Sequence, residues 1–223
     1  MGETGSLPLF PLGSVLFPGM LLPLHIFEPR YRLMLQRSLQ AGQPFGIVLI
    51  KSGVEVGGPA EPHRVGTTAR VVGTTPLPGG RSFIIARGER RFEIERIDAE
   101  REPYLVADVR YLDEDDGADA LARALADSAA DAYGQYLTGI LATSAEPHPD
   151  TPLQELSEGS PSDVSYRIAG GLGIDAAERQ RLLETERASP RLESVLRLLE
   201  RENTLLAAVI VRLRARGEGP TLN

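Results

Sequence analysis

The stretch LPLFPLGSVLFPGMLLPLHIFEP, from Leu7 to Pro29, is the most apolar part of the chain, and it decides how the first half folds. A helix that crosses a membrane needs about 20 uninterrupted apolar residues. Five prolines interrupt this stretch, and each interior proline costs a helix roughly 3 kcal/mol. No basic residue precedes it, whereas a secretory signal begins with a basic segment. We therefore predict short strands separated by turns, no membrane segment and a cytoplasmic protein.

Outward from this stretch, residues up to about 112 have the patterns of β-strands with one helix. Pro29 fits the first turn of a helix over residues 30–39, and Gly42 ends it. FGIVLI (45–50) is typical of a buried strand, and TTPLPGGRS (74–82) contains a hairpin turn signal. Alternating apolar residues follow at 92–95 and 105–111. Several short strands this close together indicate a small barrel-like sheet, in which closure removes exposed edges.

The character of the chain changes at DEDDGAD (113–119), after which the pattern is helical. Apolar residues recur at helical spacing from Leu121 to Leu141. Ser160 to Asp163 form a helix start with a cap, a proline and an acid, and Ser189-Pro190 open the last helix. The predicted fold class is α+β, with a β-barrel subdomain at residues 1–112 and an α-helical subdomain at 113–223.

The last helix carries apolar residues at alternating spacings of four and three, with Asn203 among them. This heptad pattern is typical of a parallel coiled-coil dimer, in which a single Asn fixes the register. It predicts a homodimer through residues 190–214. The apolar stripe is wider than a strict seam, which favours packing within the chain instead. The seam residues are Leu192, Leu196, Leu199, Asn203, Leu206, Ile210 and Leu213.

No catalytic, metal or cofactor motif is present in the sequence. A phosphate-binding loop is missing, and Lys51 is the chain's single lysine. His25, His63 and His148 are scattered, and the chain has no cysteine. The net charge of −7 makes nucleic acid an unfavourable partner. We therefore expect no enzymatic activity and no cofactor.

Several segments resemble, in order, the N-terminal substrate-binding domain of Lon, the ATP-dependent protease. The family's opening strands match Leu7-Pro8, Pro11-Leu12, Phe17-Pro18 and Pro23-Leu24. VGTTARV (65–71) and PYLVADV (103–109) resemble two further strands of the family. ARGERRFEI (86–94) matches its Gly-x-x-Arg strand through Gly88 and Arg91. The resemblance extends over about residues 7–213.

This resemblance implies a PUA-like β-barrel followed by a helical bundle, without the ATPase and Ser–Lys protease domains of Lon. We therefore expect a stand-alone, non-catalytic module that binds unfolded or hydrophobic polypeptide segments, or an adaptor for proteolysis. Its partners would be polypeptide clients or a protease or chaperone. Phe17, Met20, Tyr31 and Met34 are the candidate peptide contacts, because Met and aromatic side chains suit adaptable binding. The opposing interpretation is that all four belong to the core.

Two other functions stay open on the sequence. PUA-like folds also bind RNA or small molecules, so such a binder is the alternative to the polypeptide-binding module. A hydrolase of an unrecognised type is the third hypothesis.

Overall fold

The computed structural model of the protein describes residues 3–143 and 157–216. The first part of the chain forms the strands and one helix: β1 (Thr4–Leu12), β2 (Leu21–Ile26), α1 (Pro29–Ala41), β3 (Phe45–Gly53), β4 (Ala60–Pro62), β5 (Val65–Leu77), β6 (Arg81–Asp98) and β7 (Val106–Tyr111). The remainder is helical: α2 (Ala120–Thr143), α3 (Pro161–Gly171), α4 (Ala176–Glu184) and α5 (Ala188–Arg216). The predicted α+β class, with a barrel and a long C-terminal helix, is confirmed.

Five strands close into a ring. β1 pairs with β7 in antiparallel register and with β3 in parallel register. β7 pairs with β6, β6 with β5, and β5 with β3, which completes the ring. The apolar side chains that alternate along these strands fill its interior, where Leu9, Phe92 and Val109 have no exposed surface. The small barrel predicted from the spacing of the strands is therefore present.

β6 is long enough to take part both in the ring and in a second sheet. Its second half lies in the ring, while its first half (81–87) extends as the middle strand of a three-stranded sheet. β2 pairs with this half on one side, and residues 70–77 of β5 pair with it on the other. We call this β2–β6–β5 sheet the extension sheet.

Helix α1 packs on one face of the extension sheet. Pro29 starts the helix, and Gly42 ends it in the left-handed conformation with φ of 64°. Tyr31 and Met34 pack with Ile84 and Ala86 of β6 in the main core cluster. The predicted helix is therefore present, and it covers the inner face of the extension sheet.

The chain divides into two compact units, and the first consists of Met1–Glu114 together with Leu172–Glu184. Two hydrogen bonds connect α4 to the strands of this unit. Arg91 donates from Nη1 to the carbonyl of Leu183 over 2.9 Å, and Gln180 donates from Nε2 to the carbonyl of Val65 over 3.0 Å. The helical pattern predicts Leu172–Glu184 within the helical subdomain 113–223, whereas the structure groups this segment with the barrel.

The second unit consists of Asp115–Gly171 and Thr185–Asn223. The predicted cap of α3 is present, since Ser160 and Asp163 bond reciprocally at 2.9 Å and 3.1 Å. Arg191 is fully buried and donates to the hydroxyls of Ser162 and Ser165. Within this unit, hydrogen bonds from Arg191 therefore hold the first turn of α5 against α3.

The apolar stripe of α5 packs on α2 within the second unit. Leu192, Val195 and Leu199 have no exposed surface, and Asn203 donates from Nδ2 to the carbonyl of Ala132 over 3.0 Å. The Asn of the heptad pattern thus has a partner in its own chain. The homodimer through residues 190–214 stays a prediction, and the described apolar side chains still exposed for it include Leu205 and Val209.

In the described ranges 3–143 and 157–216, no helix combines the length and apolarity needed to span a membrane.

Candidate functional site

The outer face of the extension sheet, opposite α1, is apolar. Successive residues of a strand point to opposite faces, so alternate residues of β2 and β6 lie together on this side. His25 pairs with Phe83 and Pro23 pairs with Ile85, while Leu21 lies at one end of the row. We call the side chains on this side the apolar face: Leu21, Pro23, His25, Phe83 and Ile85.

These side chains are in contact and open to solvent. Leu21 is 55% exposed, Phe83 50% and Ile85 44%. The His25 ring lies 4.7 Å from the Phe83 ring and 5.4 Å from the ring of Phe27, which is itself 42% exposed. On the β5 side, Ile85 pairs with Gly73, which adds no side chain of its own to cover Ile85. The apolar face is therefore a continuous surface rather than a set of separate residues.

The apolar residues of the outer face are unusual for a sheet that packs on the core through its other face only. An antiparallel sheet with one face on the core normally carries polar residues on the other face. Large contiguous exposed apolar surfaces are typical of sites that contact another molecule. The inner face is already covered by α1, so the outer residues contribute little to the core. Covering these side chains with another apolar chain would be favourable, because it would remove apolar surface from water.

Positive charge flanks the apolar face along β6. Arg81 and Arg87 lie on the same side of the strand as Phe83 and Ile85, one at each end of the row. In the described part of the chain, neither arginine has an ion pair with a carboxylate. Arg70, which pairs with Arg87 across the strands, is neutralised by Glu89, to which its Nε donates over 2.5 Å. The apolar face is therefore locally cationic on a chain of net charge −7.

Gly88 determines where β2 begins. Its N–H donates to the carbonyl of Met20, and its carbonyl accepts from the N–H of Gly19, both over 2.9 Å. A Cβ at this position would overlap the carbonyl oxygen of Phe17. The turn at Phe17–Met20 can approach β6 because residue 88 has no side chain. This turn holds β2 in register with β6, in which Leu21 pairs with Arg87 and Pro23 pairs with Ile85.

The structure buries three of the four peptide contacts suggested by the sequence. Phe17 is fully buried, Tyr31 is 4% exposed and Met34 is 1% exposed, and the two α1 residues belong to the core under the helix. In this conformation these three side chains present no surface to a client. Met20 is partly exposed and lies directly before β2. Peptide contact by the four residues stays a prediction, with Met20 as the accessible member.

The residues of the apolar face were missed at the sequence level although a signal was present. Phe83, Ile84 and Ile85 are consecutive, so a strand through them must place apolar side chains on both faces. Only Ile84 enters the core, where it is 2% exposed. Three consecutive apolar residues directly after a hairpin turn therefore indicated apolar side chains on both faces of the sheet, although not which face is covered. Leu21 and Leu22 of β2 are also consecutive, so they too place apolar side chains on both faces of the sheet.

The described residues hold no cluster of possible metal ligands beside this surface. Among residues 3–143 and 157–216, no three His, Cys, Asp or Glu side chains are grouped so that they could hold a metal ion. His25 contacts two aromatic rings, and His63 lies 3.6 Å from Glu184. His148 lies outside the described residues. The described side chains can offer apolar contact, aromatic stacking and positive charge.

Comparison with known families and chains gives a consistent result. Residues 6–201 match the family described as the ATP-dependent protease La (LON) substrate-binding domain. The chain is 29% identical over 218 residues to a Lon protease of Chloroherpeton thalassium, which covers 91% of this chain and 24% of that protein. It is also 29% identical over 194 residues to a Lon protease of Methylocella silvestris, covering 84% of this chain and 23% of that protein. The chain thus spans about a quarter of the length of these relatives.

Two solved structures have the same fold. A Lon N-terminal domain protein from Xanthomonas campestris superposes with a TM-score of 0.62 at 27% identity, over 86% of this chain and 97% of that one. The N-terminal domain of a Mycobacterium avium complex Lon protease superposes with a TM-score of 0.67 at 19% identity, over 88% of this chain and 98% of that one.

Proposed function

Because this chain belongs to the family of Lon substrate-binding domains, we propose that it binds apolar polypeptide segments on the outer face of the extension sheet. The family supports a non-catalytic, substrate-binding role. The observation that carries the location is the apolar face itself. Phe83, Ile85 and Leu21 are about half exposed on a sheet whose other side already packs on the core.

The energetics favour weak and reversible binding. Fully burying a large apolar side chain contributes about 1.5–3 kcal/mol, so covering one that is half exposed contributes roughly 1 kcal/mol. Association itself costs several kcal/mol in lost translational and rotational freedom. The gain from a few half-exposed side chains is of the same order as this cost, so binding through them is weak and permits release. This suits a module that holds unfolded segments and passes them on.

The client class follows from the type of surface. Folded proteins bury their apolar segments, whereas unfolded or damaged chains expose them. The proposal therefore assigns unfolded polypeptides as clients, a cytoplasmic location, and transfer of the client to a protease or chaperone partner. In that role the chain acts as an adaptor for proteolysis and carries out no chemistry itself.

Photo-crosslinking to a permanently unfolded polypeptide tests the proposal. Reduced and carboxymethylated lactalbumin is a suitable probe, because it cannot refold. Phe83→Ser combined with Ile85→Ser removes the centre of the apolar face, and we expect it to weaken binding about 10-fold or more. The two side chains point away from the core, so circular dichroism should show an unchanged fold.

Leu121→Ser combined with Leu141→Ser is the matched control. Leu121 is 60% exposed and Leu141 is 48% exposed on α2, in the other compact unit, so their loss removes a similar apolar area from a different surface. We expect this variant to bind the unfolded probe as well as the native chain does. Equal weakening by both substitutions would contradict the assignment of the apolar face. Binding of a single-stranded RNA in place of the polypeptide would support the alternative function of a PUA-like RNA binder.

A further inference from the structure

Strand β2 has a pairing partner on one side only. It pairs with β6, and no second strand pairs with it among residues 3–143 and 157–216. A strand with an open edge presents unpaired main-chain N–H and C=O groups, to which another strand can bond. The closed ring removes the edges of its own strands, but β2 lies outside that ring.

The register identifies which main-chain groups point away from β6. Met20 and Gly88 face each other, because the Gly88 N–H donates to the Met20 carbonyl. In an antiparallel pair, bonded and non-bonded residue pairs alternate, so Leu21, Pro23 and His25 direct their main-chain groups outward. Pro23 fits such a position because it has no N–H to donate. The open edge therefore offers two N–H donors, those of Leu21 and His25, and three carbonyl acceptors.

The open edge is apolar on both faces of the sheet. On the outer side lie Leu21 and Pro23 of the apolar face. On the inner side, Met20, Leu22 and Leu24 pack against the core yet are only partly buried. An added strand would lie beside both rows, so its side chains would contact neighbours of β2 on each face of the sheet, and its main chain would gain hydrogen bonds.

The other open edges of this unit are less suited to accept a strand. β4 is short, ending at Pro62. The outer half of β5 is interrupted by a register shift between Val71 and Gly73, and it exposes Thr74 and Thr75. Bulges and polar residues are devices that protect an edge from pairing. β2 pairs with β6 in unbroken register from Leu21 to Ile26, so its edge is the flat and apolar one.

We propose that the apolar polypeptide segment binds as an extended strand, hydrogen-bonded to the open edge of β2. This inference rests on the proposed function and adds the conformation of the part of the segment that lies at the sheet edge. A strand paired with β2 lies about 10 Å from β6, so the client residues beyond that strand are the ones that cover Phe83 and Ile85. Binding through the main chain accepts many sequences, because every residue other than proline offers the same N–H and C=O groups. Pro23 limits the number of bonds, which keeps binding reversible and disfavours pairing of β2 with β2 of a second copy.

N-methylated peptides test the inference on the native chain. The probe is a short fluorescent peptide of alternating valine and threonine with aspartate at both ends. Two isomers carry the same number of N-methyl groups, one on alternate nitrogens and the other on consecutive nitrogens. In a strand, alternate N–H groups point to opposite sides, so the first isomer keeps one complete edge of donors for β2, whereas the second loses donors on both edges. We expect the second isomer to bind at least 10-fold more weakly than the unmethylated peptide, and the first isomer to bind nearly as well as the unmethylated peptide.

Hydrogen exchange and a paired substitution give independent readouts. The amide protons of Leu21 and His25 should exchange more slowly when the peptide is bound, as followed by NMR. His25→Pro removes one outward donor and His25→Ala retains it, so the proline variant should bind about 3–10-fold more weakly than the alanine variant.

The outcomes separate the two proposals. Equal binding of both methylated isomers, with unchanged exchange at Leu21 and His25, would overturn edge pairing and leave the proposed function standing. Failure of the unmethylated peptide and of the unfolded polypeptide to bind at all would contradict both.

Discussion

At the scale of single residues, Gly88 connects the fold to the candidate site. Both its main-chain groups bond to the turn before β2, and the absence of a side chain lets the Phe17 carbonyl lie against it. Arg91, three residues later, is fully buried and donates to Glu114 over 2.7 Å and to the carbonyl of Leu183. One residue therefore positions β2, and the other connects α4 to the barrel.

Gly88→Ala tests the first of these roles. The added Cβ would overlap main-chain atoms of Phe17, so the turn must move, and we expect a loss of about 1–3 kcal/mol in the free energy of unfolding. Urea denaturation measures the loss. Gly73→Ala is the control, since its Cβ would lie 3.6 Å from the nearest atom of Ile85, an ordinary contact. Equal stability of the two variants would show that Gly88 is not required for the turn.

At the scale of elements, the first part of α5 packs into the interior of its own unit, whereas its described side chains after Leu199 are partly buried or exposed. Its first turns are buried, and Asn203 bonds to the main chain of α2. A heptad pattern therefore does not reveal by itself whether the partner helix belongs to the same chain. The exposed row formed by Leu205 and Val209 is on the remaining surface of the helix.

Sedimentation of two variants tests the predicted homodimer. We expect Val209→Glu to reduce the mass of the assembly to the monomer value of 24.1 kDa, because it places a charge in the exposed row. Asn203→Leu should leave the oligomeric state unchanged, since the Asn203 side chain bonds to α2 of its own chain. A native chain that sediments as a monomer contradicts the dimer prediction.

At the scale of the whole molecule, the net charge and the local charge at the apolar face favour clients of opposite charge. The chain carries a net charge of −7, which favours basic partners, whereas Arg81 and Arg87 at the apolar face favour acidic ones. Screening decides between them, because charges further apart than about 10 Å interact little at 0.1 M salt. The nearby arginines therefore dominate at the site.

Peptides with different flanks test this local preference. We expect the valine–threonine peptide with aspartate ends to bind about 3–10-fold more tightly than the same peptide with lysine ends, as expected for two exposed ion pairs. Arg81→Gln combined with Arg87→Gln should abolish the difference, and so should about 1 M salt. Fluorescence anisotropy measures both affinities. Tighter binding of the lysine peptide would show that the net charge dominates instead.

The local features of the fold follow from the amino-acid sequence alone. Prolines in the opening stretch excluded a membrane helix, and the caps at Pro29 and Ser160 were read correctly, because these signals act within a few residues. The ordered motifs also identified the family and the barrel. Such features depend on neighbours in the chain, which a sequence shows directly.

Tertiary structure decided which apolar residues are covered. Phe17, Tyr31 and Met34 were expected to contact a client, yet they are buried, while Phe83 and Ile85 are exposed. The grouping of Leu172–Glu184 with the barrel likewise depends on the hydrogen bonds from Arg91 and Gln180. Burial is set by what packs against a residue from distant parts of the chain. A single strand pattern therefore cannot distinguish a face covered by a helix from a face left open for a client.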